Sequence, residues 1–461
     1  MSLTISAARI VEESDSPLLA APEAWPRKRL GDVATILNGF AFKSKQFVSE
    51  GGTPLIRIRD IRRTGTAVGF VGDYEERYIV RKGELLVGMD GDFNCARWAG
   101  PDALLNQRVC KITPDPELLD LNYLTAVLPG YLQAIHDFTS STTVTHLSSR
   151  DLADIPLPLP SLAEQQALAV LADSASSTVG SATFHLASAS RAIERFRQAV
   201  LAAAASGRLT ARWREEHVGD ARALAEDLLG RVARRRRAAP APEVHWLGTD
   251  IPATWVPVTL SCLVEDIEAG KSVRAHGRPA GDTEWGVIKV SAMSWGRFLS
   301  EENKALPEET TFNPDYEIRE GDLLISRANT VDLVGATVLV DTTRQRLLLS
   351  DKSLRLITAP GINRSWLNFA LRAPRVREQF EERATGTSDS MRNLSQDKLL
   401  MTTLPLPPTE EQAEIARQVE LLLEAADELI SHVSATSKVV DRSFLALLAK
   451  AFRRELTGEA V

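Results

Sequence analysis

The sequence predicts an α+β chain that repeats itself, with a mixed α/β block and a long helix followed by a second block and a second long helix. Three observations carry this reading. First, Pro158-Leu159-Pro160-Ser161-Leu162-Ala163-Glu164-Gln165 matches Pro405-Leu406-Pro407-Pro408-Thr409-Glu410-Glu411-Gln412 at an offset of 247. Leu147-Ser148 and Leu209-Thr210 match Leu394-Ser395 and Leu456-Thr457 at the same offset, and self-similarity at a fixed spacing marks a repeat architecture. Second, residues 25–160 and 251–407 carry short β-rich runs such as Thr53-Pro-Leu-Ile-Arg-Ile-Arg59 and Trp285-Gly-Val-Ile-Lys-Val290, broken by Gly, Asp and Asn. Third, the stretches after the Pro-rich leads place apolar or small residues at three- and four-residue steps.

Taken in order, residues 1–24 read as an N-terminal extension and 25–160 as the first block. Residues 161–215 hold a long helix with the stripe Leu168, Leu171, Ala175, Thr178, Ala182, Leu186, Ala189, Ile193, Phe196, Val200. Ser161 is its expected N-cap, with Glu164 three residues on, and Gly180 is a candidate bend. Residues 216–250 form a linker with the basic run Arg234–Arg237 and a Pro-Ala tract. The second block is 251–407. The second helix, 408–461, carries Ile415, Val419, Leu422, Ala426, Leu429, Val433, Thr436, Val440, Phe444, Leu447, Ala451, whose step near 3.5 favours a coiled-coil seam; Thr409 is its expected N-cap, with Gln412 three residues on. Lys82-Gly83-Glu84-Leu85-Leu86-Val87 resembles Glu320-Gly321-Asp322-Leu323-Leu324-Ile325 at an offset of 238 rather than 247, so the blocks share an architecture and differ in loop lengths.

Composition bounds the function. The 461 residues are 44% hydrophobic and 25% charged, ordinary globular usage. No apolar run reaches the length of a membrane span, no leader pattern opens the chain, and three cysteines without CxxC spacing suit a reducing compartment, so a cytoplasmic protein is expected. A net charge of −7 argues against nucleic-acid binding at first sight, but it is unevenly spread. Residues 25–160 carry 16 basic against 16 acidic side chains, 251–407 carry 19 against 21, and 408–461 carry 6 against 10.

The organisation of block, PLPSLAEQQ or PLPPTEEQ lead and long helix, given twice, resembles the specificity subunit of type I restriction-modification systems. The segments Asn38-Gly39-Phe40-Ala41-Phe42-Lys43-Ser44, Leu85-Leu86-Val87-Gly88-Met89-Asp90-Gly91-Asp92-Phe93 and Leu105-Asn106-Gln107-Arg108-Val109 look like parts of that family's target recognition domains, and the likeness runs from about Trp25 to Thr457. The resemblance implies a non-catalytic DNA reader. Each block would be a target recognition domain for one half of a gapped, asymmetric double-stranded site, and the helices would pack antiparallel as a pseudo-two-fold spacer. Two methyltransferase subunits would dock on the assembly and motor-nuclease subunits would join it, so S-adenosylmethionine, ATP and Mg would belong to partners and no cofactor or metal to this chain.

Candidate DNA contacts follow from residue chemistry. Arg57, Arg59, Arg62 and Arg63 cluster on an expected strand and its turn, where alternation would put Arg57 and Arg59 on one face toward phosphates or a guanine edge. Asn106, Gln107 and Arg108 suit base edges or phosphates, Asn94 stands in an Asp- and Gly-rich loop, and Lys43 lies within the first family-like segment. In the second block Lys271, Arg274 and Arg278 occupy a Gly-bearing segment. Arg327 and Asn329 follow Leu323-Leu324-Ile325, and Lys352 and Arg355 stand near the position of Gln107 in the first copy.

Catalytic readings are weaker. Asn313-Pro314-Asp315-Tyr316 departs from the adenine-methyltransferase Asn-Pro-Pro-Tyr signature at Asp315 and has no Gly-rich cofactor loop upstream. Gly270-Lys271-Ser272 ends like a phosphate loop, but Glu265 replaces its first Gly. Asp282 with Glu302-Asn303-Lys304 imitates a nuclease pattern that charged loops often show, and the seven histidines, His136, His146 and His276 among them, lack paired ligand spacing. The reading from another class is a coiled-coil scaffold whose blocks have lost their DNA target.

Overall fold

The computed structural model describes residues 3, 5–139, 146–217, 230, 243, 245, 251–294, 296–388, 391–453 and 455. The basic run Arg234–Arg237, the Pro-Ala tract after it and Leu456-Thr457 lie outside the described residues. The chain divides into two compact units, Met1–Ala187 with Ser434–Val461, and Ser188–Val433.

In the first unit, a four-stranded antiparallel sheet runs in the order Ala34–Asn38, Val109–Pro114, Leu85–Gly88, Cys95–Arg97. A second sheet pairs Thr53–Ile56 in parallel with Ala103–Leu105. A short antiparallel ribbon, Arg27–Arg29 against Pro156–Pro158, ties the beginning of the block to its end. The helix Leu121–Thr139 lays Tyr123, Leu124, Leu128, Tyr131 and Ile135 on the core, the i, i+4 stripe that an amphipathic helix buries. The expected N-terminal extension is no separate segment. Ala7, Ile10, Val11 and Leu19 are buried in this same core, so it is part of the unit.

In the second unit the plan recurs. Its four-stranded antiparallel sheet runs Val264–Ala269, Ser353–Thr358, Leu323–Ser326, Thr337–Leu339, and its parallel pair is Gly286–Ile288 with Leu347–Leu348. The closing ribbon is Val256–Thr259 against Thr403–Leu406. The registers fix the equivalences. Arg27 faces Pro158 as Pro257 faces Pro405, and Lys111 faces Leu86 as Arg355 faces Leu324. The offset between the copies therefore climbs from 230 at Trp25/Trp255 to 238, then 244 at Lys111/Arg355, and reaches 247 before the helices, so the extra residues of the second block are spent in its loops.

The long helices are Leu162–Ala205 and Thr409–Phe452, each of 44 residues. In the first unit Leu168, Ala169 and Ala172 share the core with Leu448, Ala451 and Phe452; in the second, Val200, Leu201 and Ala204 share it with Ile415, Ala416 and Val419. Beginning meets end in both, so the helices run antiparallel. Ser161 caps as expected: its hydroxyl accepts from Glu164 N–H and its own N–H donates to the Glu164 carboxylate at 3.1 Å. Thr409 does not cap. It is the first helical residue, and Gln412 is buried instead of reaching back. The Gln of each lead is a staple: Gln165 donates to Pro160 and Leu118 carbonyls and accepts from Asp120 N–H, and Gln412 donates to Pro407 and accepts from Asn363 N–H. The first helix ends at Ala205, ten residues short of the expected boundary, in a turn through Gly207 at φ 73°. Gly180 lies within a continuous helix.

Candidate nucleic-acid interface

In the first unit a backbone constraint builds the site. Gly39 passes so close to the Asn106 carbonyl that a Cβ there would lie 2.0 Å from its oxygen. Phe40 N–H donates to Leu105 O and Gln107 N–H to Phe40 O at 2.8 Å, which pins the turn 106–108 at one end of the four-stranded sheet. Around it opens a concavity of about 480 Å³ lined by Arg57, Ile58, Arg59, Asp90, Gly91, Asp92, Asn94, Asn106, Gln107 and Arg108. Six residues expected from the sequence, Arg57, Arg59, Asn94, Asn106, Gln107 and Arg108, are thus brought together from three separate segments.

Their roles differ in detail. The strand Thr53–Ile56 ends before Arg57, and Ile58–Asp60 is a single 3-10 turn, so strand alternation does not place Arg57 and Arg59. Arg57 instead donates through Nε at 3.2 Å to Asp60, which is 1% exposed, while Arg59, Arg62 and Arg63 are exposed. Asn106 is 8% exposed, and its side-chain oxygen accepts from Gln107 N–H; it shapes the turn rather than facing outward. Gln107 and Arg108 are exposed, as is Lys43, which is not part of the lining. Arg108 donates to Asp90 Oδ2 at 2.7 Å, and Asp90 Oδ1 accepts from His146 Nδ1 at 2.5 Å. Asp90 and His146 were not among the expected contacts; the Asp-Gly-Asp loop was legible only as a loop.

The second unit repeats the geometry. A Cβ on Gly270 would lie 2.4 Å from the Leu349 and Ser350 carbonyl oxygens, the same close approach as at Gly39. That explains the glycine of Gly270-Lys271-Ser272 without a phosphate loop. Arg327 N–H donates to Lys352 O at 2.9 Å, so Lys271, Arg327 and Lys352 gather at the equivalent sheet end. Arg274 and Arg278 are exposed; Arg278 grips Glu284 with two bonds of 2.6 Å, which holds that carboxyl down at about 2. Asn329 spends its oxygen on Thr330 N–H.

Arg355, expected at the DNA-facing surface, is turned inward. It is 7% exposed, and it donates to Asp322 at 2.9 Å, to Glu268 at 2.6 Å and to the Asp315 and Glu317 carbonyls. The residue in the same register of the first block, Lys111, likewise donates to Glu84 at 3.0 Å and to Ile79 O. Both side chains are spent on acids and carbonyls of their own block.

Burial pushes the thiols of Cys95 and Cys110 up to about 12, which removes thiolate chemistry from both. Among the described residues no group of three His, Cys, Asp or Glu side chains is arranged to hold a metal ion, and no helix is long and apolar enough to cross a membrane.

Residues 22–171 match the family described as type I restriction modification DNA specificity domain. The chain is 33% identical to the type I restriction enzyme EcoBI specificity subunit of Escherichia coli, over 100% of this chain and 92% of that one. It is 22% identical to the EcoKI specificity subunit of Escherichia coli strain K12, over 95% and 90%. The fold is shared, at a TM-score of 0.60 and 19% identity, with a chain solved in a study of complex assembly and conformational transition of the type I R-M system, over 95% of this chain and 100% of that one. With an internal repeat of two similar sheet-based blocks, two equal antiparallel helices and one-third identity along its whole length, this chain belongs to the specificity subunits of type I restriction enzymes.

Proposed function

We propose that the chain supplies DNA sequence specificity to a type I restriction-modification assembly, each block reading one half of a gapped, asymmetric duplex site. The observation that carries this is the concavity of the first block, where arginines and amides from three segments converge on one rigid turn, together with its counterpart at Lys271, Arg327 and Lys352. Rigid loop ends that present Arg, Asn and Gln are what base-edge and phosphate contacts require. Two similar but non-identical readers suit two half-sites that need not be palindromic.

The long helices act as spacer and as docking surface for two methyltransferase subunits. Val170, Phe184, Leu421, Leu429 and Val439 are all more than half exposed on them, a density of apolar side chains that supports a role in association. In this reading the chain is non-catalytic and binds no cofactor or metal. S-adenosylmethionine belongs to the methyltransferase subunits, and ATP with Mg to the motor-nuclease subunits that complete the complex.

Co-expression with the cognate methyltransferase subunit, followed by single-molecule mapping of methylated positions, tests the proposal. A gapped, asymmetric motif that vanishes when this chain is omitted is the expected result. A map that is the same with and without the chain would leave only a scaffold.

A further inference from the structure

Arg108 is held in two unusual ways. Its φ is 73°, a left-handed conformation that an arginine adopts only when its surroundings impose it, and such outliers gather at functional sites. Four bonds impose it here: Gln107 N–H to Phe40 O, Gln107 N–H to Asn106 Oδ1, Val109 N–H to Asn106 O, and Met89 N–H to Arg108 O at 2.9 Å. The side chain is then caught by Asp90, whose other oxygen is occupied by His146, and the main chains of Asp90 and His146 also pair. Arg108 remains 56% exposed. Among the described residues no acceptor engages its Nε or Nη2, so one complete edge of the guanidinium fork stays open at the concavity.

We propose that Arg108 reads a guanine in the first half of the target, and that Asp90 and His146 are positioning residues that fix its guanidinium for that contact. The inference rests on the DNA-reading function proposed above and assigns one base to one side chain. A phosphate anchor needs net positive charge and tolerates a mobile stem. Arg108 is the reverse, with its charge offset by Asp90, its backbone fixed by the four bonds of the turn and its guanidinium tethered through Nη1. Two parallel N–H donors in fixed orientation match guanine O6 and N7. Surface ion pairs contribute little to stability, so this one serves orientation. The second block lacks the device: Lys352, Ala328 and Asn393 stand at the positions of Arg108, Asp90 and His146, and Lys352 has no fork to orient. The two half-sites are thus read by different chemistry.

The test uses the full complex with its methyltransferase subunits and competition binding against duplexes that each carry one changed base pair. Arg108→Gly removes the side chain and suits the positive φ, so the melting temperature should hold. Arg108→Lys keeps the charge without the fork. Both should cost roughly tenfold or more on the cognate duplex and erase discrimination at one G·C pair of the first half, with the second half read as before. Asp90→Asn should weaken discrimination at that same pair with melting temperature and salt dependence unchanged. If Arg108→Gly instead weakens every duplex equally and lowers the salt slope by about one, Arg108 is a phosphate contact and the inference is overturned. Unchanged discrimination in both Arg108 variants overturns it as well. A wild-type complex with no base preference at any position would overturn the DNA-reading function itself, and this inference with it.

Discussion

Lys111 and Arg355 occupy the same rung of the two blocks and do the same work, a cation on an inner strand, half-buried in the first block and buried in the second, answered by an acid one strand away, Glu84 or Asp322. Removing one partner of such a pair leaves the others uncompensated. Arg355→Ala should therefore cost about 3 kcal/mol in chemical denaturation, from the orphaned Asp322 and Glu268. The cost should appear without any change in which DNA sequence is read. An Arg355→Ala protein of normal stability and altered specificity would show that the strut is misassigned. Its role was legible in principle. Glu84 and Asp322 align between the repeats, as do their cationic partners once the register is known, but a lone Arg beside a loop reads as surface chemistry until pairing across strands shows where it points. The glycines follow the same logic. Gly39 and Gly270 are required by carbonyls that no local pattern reveals, and Gly39→Ala should destabilise by about 1–3 kcal/mol through overpacking against the Asn106 carbonyl, measured the same way.

At the scale of elements, the long helices were the most legible part of the sequence, because their period and equal length are local properties. Burial modulates the stripes in a way that periodicity does not encode. Leu168, Ala175, Val200, Ile415, Val419 and Ala426 are buried, whereas Leu171, Phe196, Leu429 and Leu447 on the same stripes are more than 40% exposed. Gly180 has open space where its Cβ would be and sits in unbroken helix, so Gly180→Ala should raise stability by about 0.5–1 kcal/mol, seen as a higher melting temperature. A decrease would mean that the glycine serves as a bend after all. Each helix of 44 residues extends about 66 Å at 1.5 Å per residue. Four inserted residues add about 6 Å, enough for one or two further base pairs between half-sites. A methylation map of that insertion variant should show the longer spacer, and an unchanged spacer would refute the ruler. Of the two expected helix caps, Ser161 with Glu164 forms and Thr409 with Gln412 does not; in both leads the Gln joins the helix start to its block, a tertiary contact that only the fold reveals.

For the whole molecule, duplication explains why so much could be read from one sequence. Two copies constrain each other, so the plan of block and helix emerged from offsets alone. The loop ends that would face DNA were harder, since their contacts come from segments tens of residues apart: Arg57, Asp90, Asn106 and His146 meet only through the sheet register. In the proposed function each block reads its own half-site independently. Replacing residues 251–407 with the corresponding block of another specificity subunit, and mapping methylation in the complex, tests it most directly. The half of the motif assigned to the second block should change while the first half and the spacer stay as they were. A map in which both halves change, or neither does, would contradict it.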